Sequence, residues 1–207
     1  MKQMNVILLL VGLMVYGSSY AEQLIAADFV GQPAILLKEG VLQSCGIRFV
    51  GFENAFNPDN PKESIRMSDA SFMLDRKGYG LVKATLSMNT VGGVQTHKKQ
   101  VTQPFRTFWI KAPNADATKL VKGQAVLNGD SINSKLYITD ALSVMALHGA
   151  VAEHKPIQIG IKFDDDTKDF AFFGKVTLTD NEAEQVSSCM NELIGLIEKD
   201  IDKNVIK

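Results

Sequence analysis

Hydrophobic and polar residues alternate along several short stretches of this chain, which is the pattern of strands with one buried face. In "VLQSCGIRF" alternate positions are apolar, namely Val41, Cys45, Ile47 and Phe49, and Gln43 is the one polar exception among them. This alternation predicts a strand in which Cys45 points inward. The apolar run "AILLK" precedes it, and Glu39-Gly40 between the two stretches is a turn signal. The two stretches are therefore predicted to form a hairpin.

The same pattern predicts two further hairpins. In the first, the turn is "DRKGYG", and the apolar positions after it are Val82, Ala84, Leu86 and Met88. In the second, "PIQIGIKF" and "FAFFGKVTL" flank the polar segment "DDDTKD". The segment "PFRTFWIKAP" is largely apolar on both faces, which predicts a central strand covered on both sides. Its aromatic residues are then expected in the core: Phe105, Phe108 and Trp109.

Two segments have helical signals. Thr139 or Asp140 is the expected N-cap of "ALSVMALHGAVAEHK", which ends at Gly149 or before Pro156. Thr179 with Glu182 three residues later forms a capping box at the start of the last helix. That helix has an apolar stripe: Val186, Cys189, Met190, Leu193, Ile194, Ile197 and Ile201. It is amphipathic, and Cys189 lies on the face that packs against the protein.

Many short strands with two helices predict an α+β fold. We expect a mainly antiparallel β-sheet, curved into a sandwich or a partial barrel. The C-terminal amphipathic helix packs on this sheet, and a second short helix lies near residues 140–153.

The first 21 residues have the features of a secretory signal peptide. Lys2 precedes an apolar run of about ten residues, whereas a membrane-spanning helix needs roughly 20. Ser19 and Ala21 give the small-x-small pattern of a cleavage site. We therefore expect residues 1–21 to be removed, and residues 22–207 to form a single globular domain without a membrane span. The expected location is the periplasm or the extracellular space.

Charge and composition argue against nucleic acid as a partner. The formal net charge is −1, and removal of Lys2 with the signal makes it about −2, so a basic patch of the kind that binds phosphates is not expected. The basic triplet His97–Lys99 is interpreted as a solvated loop. The expected partner is an unknown protein or small molecule of the cell envelope, and no cofactor is indicated.

The chain has two cysteines, and both are predicted to face inward, from an early strand and from the last helix. An even number of cysteines in an exported protein favours pairing. We therefore predict a Cys45–Cys189 disulfide. A catalytic thiolate needs an open, electropositive environment with a base nearby, which the apolar stripe around Cys189 does not supply.

Other candidate chemistry is sparse. The carboxylates Asp164, Asp166 and Asp169 could offer oxygen ligands to a weak Ca²⁺ site. Their clustering is more typical of a solvated hairpin turn. The three histidines are not spaced as a helical metal pair, and the common hydrolase and nucleotide-binding motifs do not occur. No catalytic residue is therefore assigned.

These observations favour an exported, non-enzymatic binding or accessory protein. The long polar segment "NAFNPDNPKES" is the candidate contact loop, together with the triplet His97–Lys99. Its candidate residues are Asn54, Phe56, Asn57, Asp59 and Lys62. Two alternatives stay open. One is a small-ligand carrier or enzyme with a pocket between the C-terminal helix and the sheet, and the other is a secreted inhibitor of a hydrolase.

The order of elements in the last third is a helix, "GAVAEHKPIQIGIKF", a hairpin and a helix that contains Cys189. This order resembles the ending of small secreted bacterial β-proteins such as the invasion-associated locus B group. The resemblance covers about a third of the chain and includes no diagnostic motif. No residue role or activity is carried over from it.

Overall fold

The structure is a computed structural model that describes residues 23–53, 64–90, 100–102, 105–129, 133–163 and 170–205. This part of the chain contains eleven strands and two helices. The strands are β1 (Gln23–Lys38), β2 (Val41–Glu53), β3 (Ser64–Asp75), β4 (Gly80–Thr90), β5 (Gln100–Thr102), β6 (Thr107–Lys111), β7 (Leu127–Asn128), β8 (Ser134–Thr139), β9 (Ile157–Lys162), β10 (Phe170–Gly174) and β11 (Val176–Thr177). The helices are α1 (Ala141–Ala152) and α2 (Asp180–Val205).

The strands form one mixed, open sheet on which the C-terminal helix packs, which confirms the predicted α+β class. Its main path runs β6-β9-β10-β1-β2-β3-β4-β8-β7. The predicted hairpins β1–β2, β3–β4 and β9–β10 are all present and antiparallel. The first strand departs from this pattern, since β1 runs parallel to β10 over Gln23–Ala26 and to β11 over Phe29–Val30. It thereby joins the two halves of the sheet, whose buried residues belong to one core.

A β-bulge changes the pattern of burial near the tip of the β1–β2 hairpin. The register passes from Leu36 opposite Ser44 to Leu37 opposite Leu42, which leaves Gln43 as an extra residue. Such a bulge moves the following side chains to the other face of the strand. Leu42 is consequently only 5% exposed, whereas Val41 is 44% exposed. The prediction that Val41 shares the buried face of Cys45 is therefore wrong.

The turn of this hairpin has a backbone suited to the twist of its strands. Glu39 and Gly40 have φ angles of 53° and 77°. Two successive positive φ angles are the signature of the type I′ turn, which joins twisted antiparallel strands with two residues. The predicted turn position is correct.

Strand β6 lies at an end of the sheet path, so the prediction of a central strand is wrong. Its outer edge is covered by a loop instead of by a strand. The N–H of Ile110 donates to Thr118 Oγ1 at 2.8 Å, and the carbonyl of Ile110 accepts from the N–H of Thr118 at 2.8 Å. Phe105 and Phe108 are buried as predicted, whereas Trp109 is only half-buried, so its predicted place in the core is wrong.

Both helices begin at the predicted caps. Asp140 accepts a hydrogen bond of 2.7 Å from the N–H of Ser143 at the start of α1. At the start of α2, the N–H of Thr179 donates to Glu182 at 2.7 Å, and the N–H of Glu182 donates to Thr179 Oγ1 at 3.3 Å. Helix α1 continues through Gly149 to Ala152. In the described part of the chain, neither helix has the length and apolar content needed to cross a membrane.

Candidate binding cleft

A disulfide fastens α2 to the inner face of β2. Cys45 and Cys189 are bonded, with their Cα atoms 5.9 Å apart, and both are buried. This is the pairing that the sequence predicts. Val186, Met190 and Leu193 surround the bond on the helix side and are buried with it. The N-terminal half of α2 is thereby held over the β1–β2 hairpin.

An ion pair holds α2 at a second point. Arg76, in the turn between β3 and β4, donates to both carboxylate oxygens of Asp200, at 2.7 and 3.1 Å. A bidentate pair of this kind fixes direction as well as distance. Cys189 and Asp200 are eleven residues apart in sequence, which is about 16 Å along a helix. The disulfide and the ion pair together set the orientation of α2 on the sheet.

A cleft of about 530 Å³ opens between the hairpin tip and the N-terminal half of α2. Its floor consists of Ile35, Leu37 and Leu42. Two of these are accessible, since Ile35 is 46% and Leu37 is 58% exposed. The helical wall carries polar side chains: Asn181, Glu184, Gln185, Ser188 and Glu192. The disulfide residue Cys189 lies at the base, so the two walls are covalently joined.

The cleft combines an apolar floor with an acidic wall. Among the described residues that line it, Glu184 and Glu192 are acidic and none is basic. Both glutamates are exposed. The wall also offers amide and hydroxyl groups from Asn181, Gln185 and Ser188. Such a surface suits a ligand that presents apolar groups toward the sheet and cationic groups toward the helix.

Two other depressions have less to offer a partner. A groove of about 350 Å³ on the opposite face of the sheet includes Arg48 and Asp69, which already pair with each other at 2.9 and 2.5 Å. A depression of about 490 Å³ beside the start of α1 includes Leu142, which is 81% exposed. Within the described residues, neither depression is bounded by two elements that a covalent bond holds together.

Reactive groups are scarce in the part of the chain that the structure describes. Its two cysteines are both in the disulfide. In the same residues, no group of three or more His, Cys, Asp or Glu side chains is arranged to hold a metal ion. The candidate calcium ligands Asp164, Asp166 and Asp169 lie outside the described residues. The candidate contact residues of loop 54–63 and the triplet 97–99 lie outside them as well.

His148 is a half-buried titratable residue with no evident chemical task. It lies on α1 with its ring edge-on to Phe72, at a centroid distance of 5.1 Å. Its Nε2 atom is buried and has no hydrogen-bond partner among the described residues. Burial lowers the pKa of His148 to about 4. The neutral form is therefore the one compatible with the fold.

This lowered pKa makes the stability of the fold depend on pH. An unfolded histidine titrates near 6.5, so the unfolded chain binds the proton first, and stability falls as pH decreases from about 6.5 to 4. We expect the free energy of unfolding to fall by about 2 kcal/mol between pH 7 and pH 5. Urea unfolding at both pH values measures it. His148→Leu serves as the comparison, because other titrating groups are unchanged in it, and an equal loss in that variant would exclude the assignment.

The residues of the cleft were not predicted from the sequence. Ile35 and Leu37 belong to "AILLK", which is apolar on both parities directly before a turn. A strand end that is apolar on both faces and not covered is a signal of an exposed contact surface. Glu184 and Glu192 lie on the polar side of an amphipathic helix, which by itself does not indicate a binding site. Their proximity to the hairpin tip follows from the disulfide.

No protein-family model matches this chain, and no curated protein or solved structure matches it either.

Proposed function

We propose that the protein is an exported, non-enzymatic binding or accessory protein that holds its partner in the cleft between the β1–β2 hairpin and α2. The observation that carries the proposal is the exposed apolar floor of Ile35 and Leu37 beside a helix that the disulfide fixes in place. A preformed cleft loses little conformational freedom on binding, which favours affinity. The proposed partner is a protein of the cell envelope.

Two features support export to the periplasm or the extracellular space. The N-terminal segment has the charge, apolar run and small-x-small ending of a secretory signal peptide. The Cys45–Cys189 disulfide is a bond that persists in oxidising compartments. Cell fractionation with an antibody, together with N-terminal sequencing of the exported form, tests this part of the proposal. An intact N-terminus in the cytosolic fraction would contradict it.

The chemistry of the cleft supports binding over catalysis. Nucleophilic catalysis needs a nucleophile within hydrogen-bond reach of a base, and the sulfur at the base of the cleft is already bonded to Cys45. The carboxylates of the wall are exposed on a helix flank. The groups that remain are suited to recognising a surface.

A charge placed on the floor of the cleft tests the binding function. We expect Leu37→Glu to abolish capture of the partner from an envelope extract, because it adds a third negative charge where apolar groups dock. Leu142→Glu is the matched control, since Leu142 is even more exposed but lies on α1. Both variants should keep the thermal stability of the wild type. A protein that the wild type and both variants capture equally is not bound by the cleft.

A carrier of small ligands is the second candidate. The volume of about 530 Å³ lies within the range of small-molecule pockets, which is about 300–1,000 Å³. Native mass spectrometry of protein purified from its host distinguishes the two functions. An added mass that disappears in Leu37→Glu and persists in Leu142→Glu would favour the carrier.

A further inference from the structure

Among the described strands, none pairs with the second edge of β1 over the half of the strand that borders the cleft. One edge of β1 pairs with β2 from Ala27 to Lys38. The other edge pairs with β10 over Gln23–Ala26 and with β11 over Phe29–Val30. Beyond Val30, no strand in the described part of the chain pairs with it. The backbone N–H and C=O groups that point outward there form a row available to another strand.

The cover that neighbouring elements give to this edge ends near Gly31. The space beside its Cα is occupied by the side chains of Val176 and Leu178. Farther along, Pro33 lacks an N–H and Lys38 carries a charge, and both residue types protect strand edges from pairing. Between them, three consecutive apolar residues are about half exposed: Ile35, Leu36 and Leu37. The unprotected part of the edge is therefore residues 34–37.

We propose that an extended segment of a partner protein binds here as an added β-strand alongside residues 34–37. The inference rests on the proposed binding function of the cleft and specifies its partner. Side chains of the added strand alternate between two faces. Those on one face enter the cleft over Ile35 and Leu37, and those on the other face lie beside Leu36.

The charge of the cleft selects the sequence of this segment. Glu184 and Glu192 are eight residues apart, which is about 12 Å along α2. An extended segment spans about 13 Å over four residues. The cleft-facing positions then read basic, apolar, basic, with apolar residues at the two positions between them. Lys-Val-Leu-Val-Lys is the simplest segment of this type.

The same charge argues against a second copy of the chain as the occupant. Pairing of two β1 edges would bring two acidic walls to one interface. The cleft residues in the described part of the chain include no basic side chain to offset them. Like charges placed together at an interface oppose association. A foreign segment with basic residues removes this repulsion.

The probe for this proposal is a fluorescent, end-capped Lys-Val-Leu-Val-Lys peptide, with anisotropy as the readout on the full oxidised protein. We expect saturable binding that weakens as salt is added. The double variant Glu184→Gln/Glu192→Gln should weaken it by about fivefold to tenfold, as expected for two exposed ion pairs. A Glu-Val-Leu-Val-Glu peptide should not bind. Amide hydrogen exchange should slow at residues 34–37 when the peptide is bound.

N-methylated peptides separate strand addition from side-chain binding. One version is methylated at the backbone nitrogens of the two valines, and the other at the backbone nitrogens of the leucine and of the two lysines. Because N–H groups of alternate residues point to one edge, one version should lose binding. Equal binding of both versions would overturn strand addition and leave the cleft function intact. A salt-independent self-association that residues 34–37 mediate would assign the edge to a second copy. Absence of peptide binding while Leu37→Glu still abolishes partner capture would refute this inference alone.

Discussion

Removal of the disulfide is expected to lower the free energy of unfolding by about 3–5 kcal/mol. The bond joins residues 144 apart in sequence, and in the chain-entropy account a closure of that length contributes about 5 kcal/mol. It also fastens α2, whose Val186, Met190 and Leu193 complete the core. The variant is the double substitution Cys45→Ala/Cys189→Ala, which leaves no unpaired thiol. Urea unfolding at neutral pH measures the difference.

The second attachment of α2 provides the control for this experiment. Arg76→Met removes the ion pair with Asp200 and keeps the apolar part of the side chain. Because the pair is accessible to solvent and salt, its removal should lower the free energy of unfolding far less than removal of the disulfide does. Equal losses would show that the disulfide stabilises α2 no more than the ion pair does. An unchanged urea midpoint in the double cysteine variant would contradict the role given to the bond.

Substitution of Gly174 by Ala is expected to destabilise the fold by about 3 kcal/mol. Gly174 ends β10 at the point where β1 changes partner, between Ala26 and Phe29. A Cβ at this position would overlap the carbonyl oxygen of Ala27, which is backbone within the sheet. Relief of that overlap requires separation of the strands. Thermal and urea unfolding measure the effect.

Gly149→Ala should have the opposite effect. Gly149 lies in α1, and a Cβ there would contact nothing within 4 Å. Alanine in a helix interior is more stable than glycine by about 0.5–1 kcal/mol. The same glycine-to-alanine change is therefore predicted to lower stability at Gly174 and to raise it at Gly149. A loss of stability in both variants would place Gly149 in contacts that the described fold does not have.

The elements that sequence analysis predicted correctly are those fixed by local pattern. The alternation of Val82, Ala84 and Leu86 and the Glu39-Gly40 turn specify hairpins from neighbouring residues alone. The Thr179–Glu182 capping box likewise marks the start of α2 within one helical turn. The disulfide was predictable because two inward-facing cysteines in an otherwise apolar setting had one available partner each.

The remaining features depend on residues distant in sequence. The edge position of β6 could not be read from its apolar faces, because the loop at Thr118 covers it in place of a strand. The bulge at Gln43 was visible only as a polar exception in the pattern. The parallel pairing of β1 with β10 joins residues nearly 150 positions apart. The cleft depends on how α2 lies against the β1–β2 hairpin, so its residues were not assigned from the sequence.

The two-cysteine arrangement has a consequence for biosynthesis. With two thiols in the chain, only one intramolecular pairing exists, so a folding chain needs an oxidant but no isomerase to correct a wrong pair. Incorrect disulfides arise instead from the order in which the two cysteines are synthesised. Cys45 emerges well before Cys189, and in the interval its thiol can react only with another molecule. Incorrect oxidation would therefore yield chains cross-linked through Cys45, most readily when many copies are made at once.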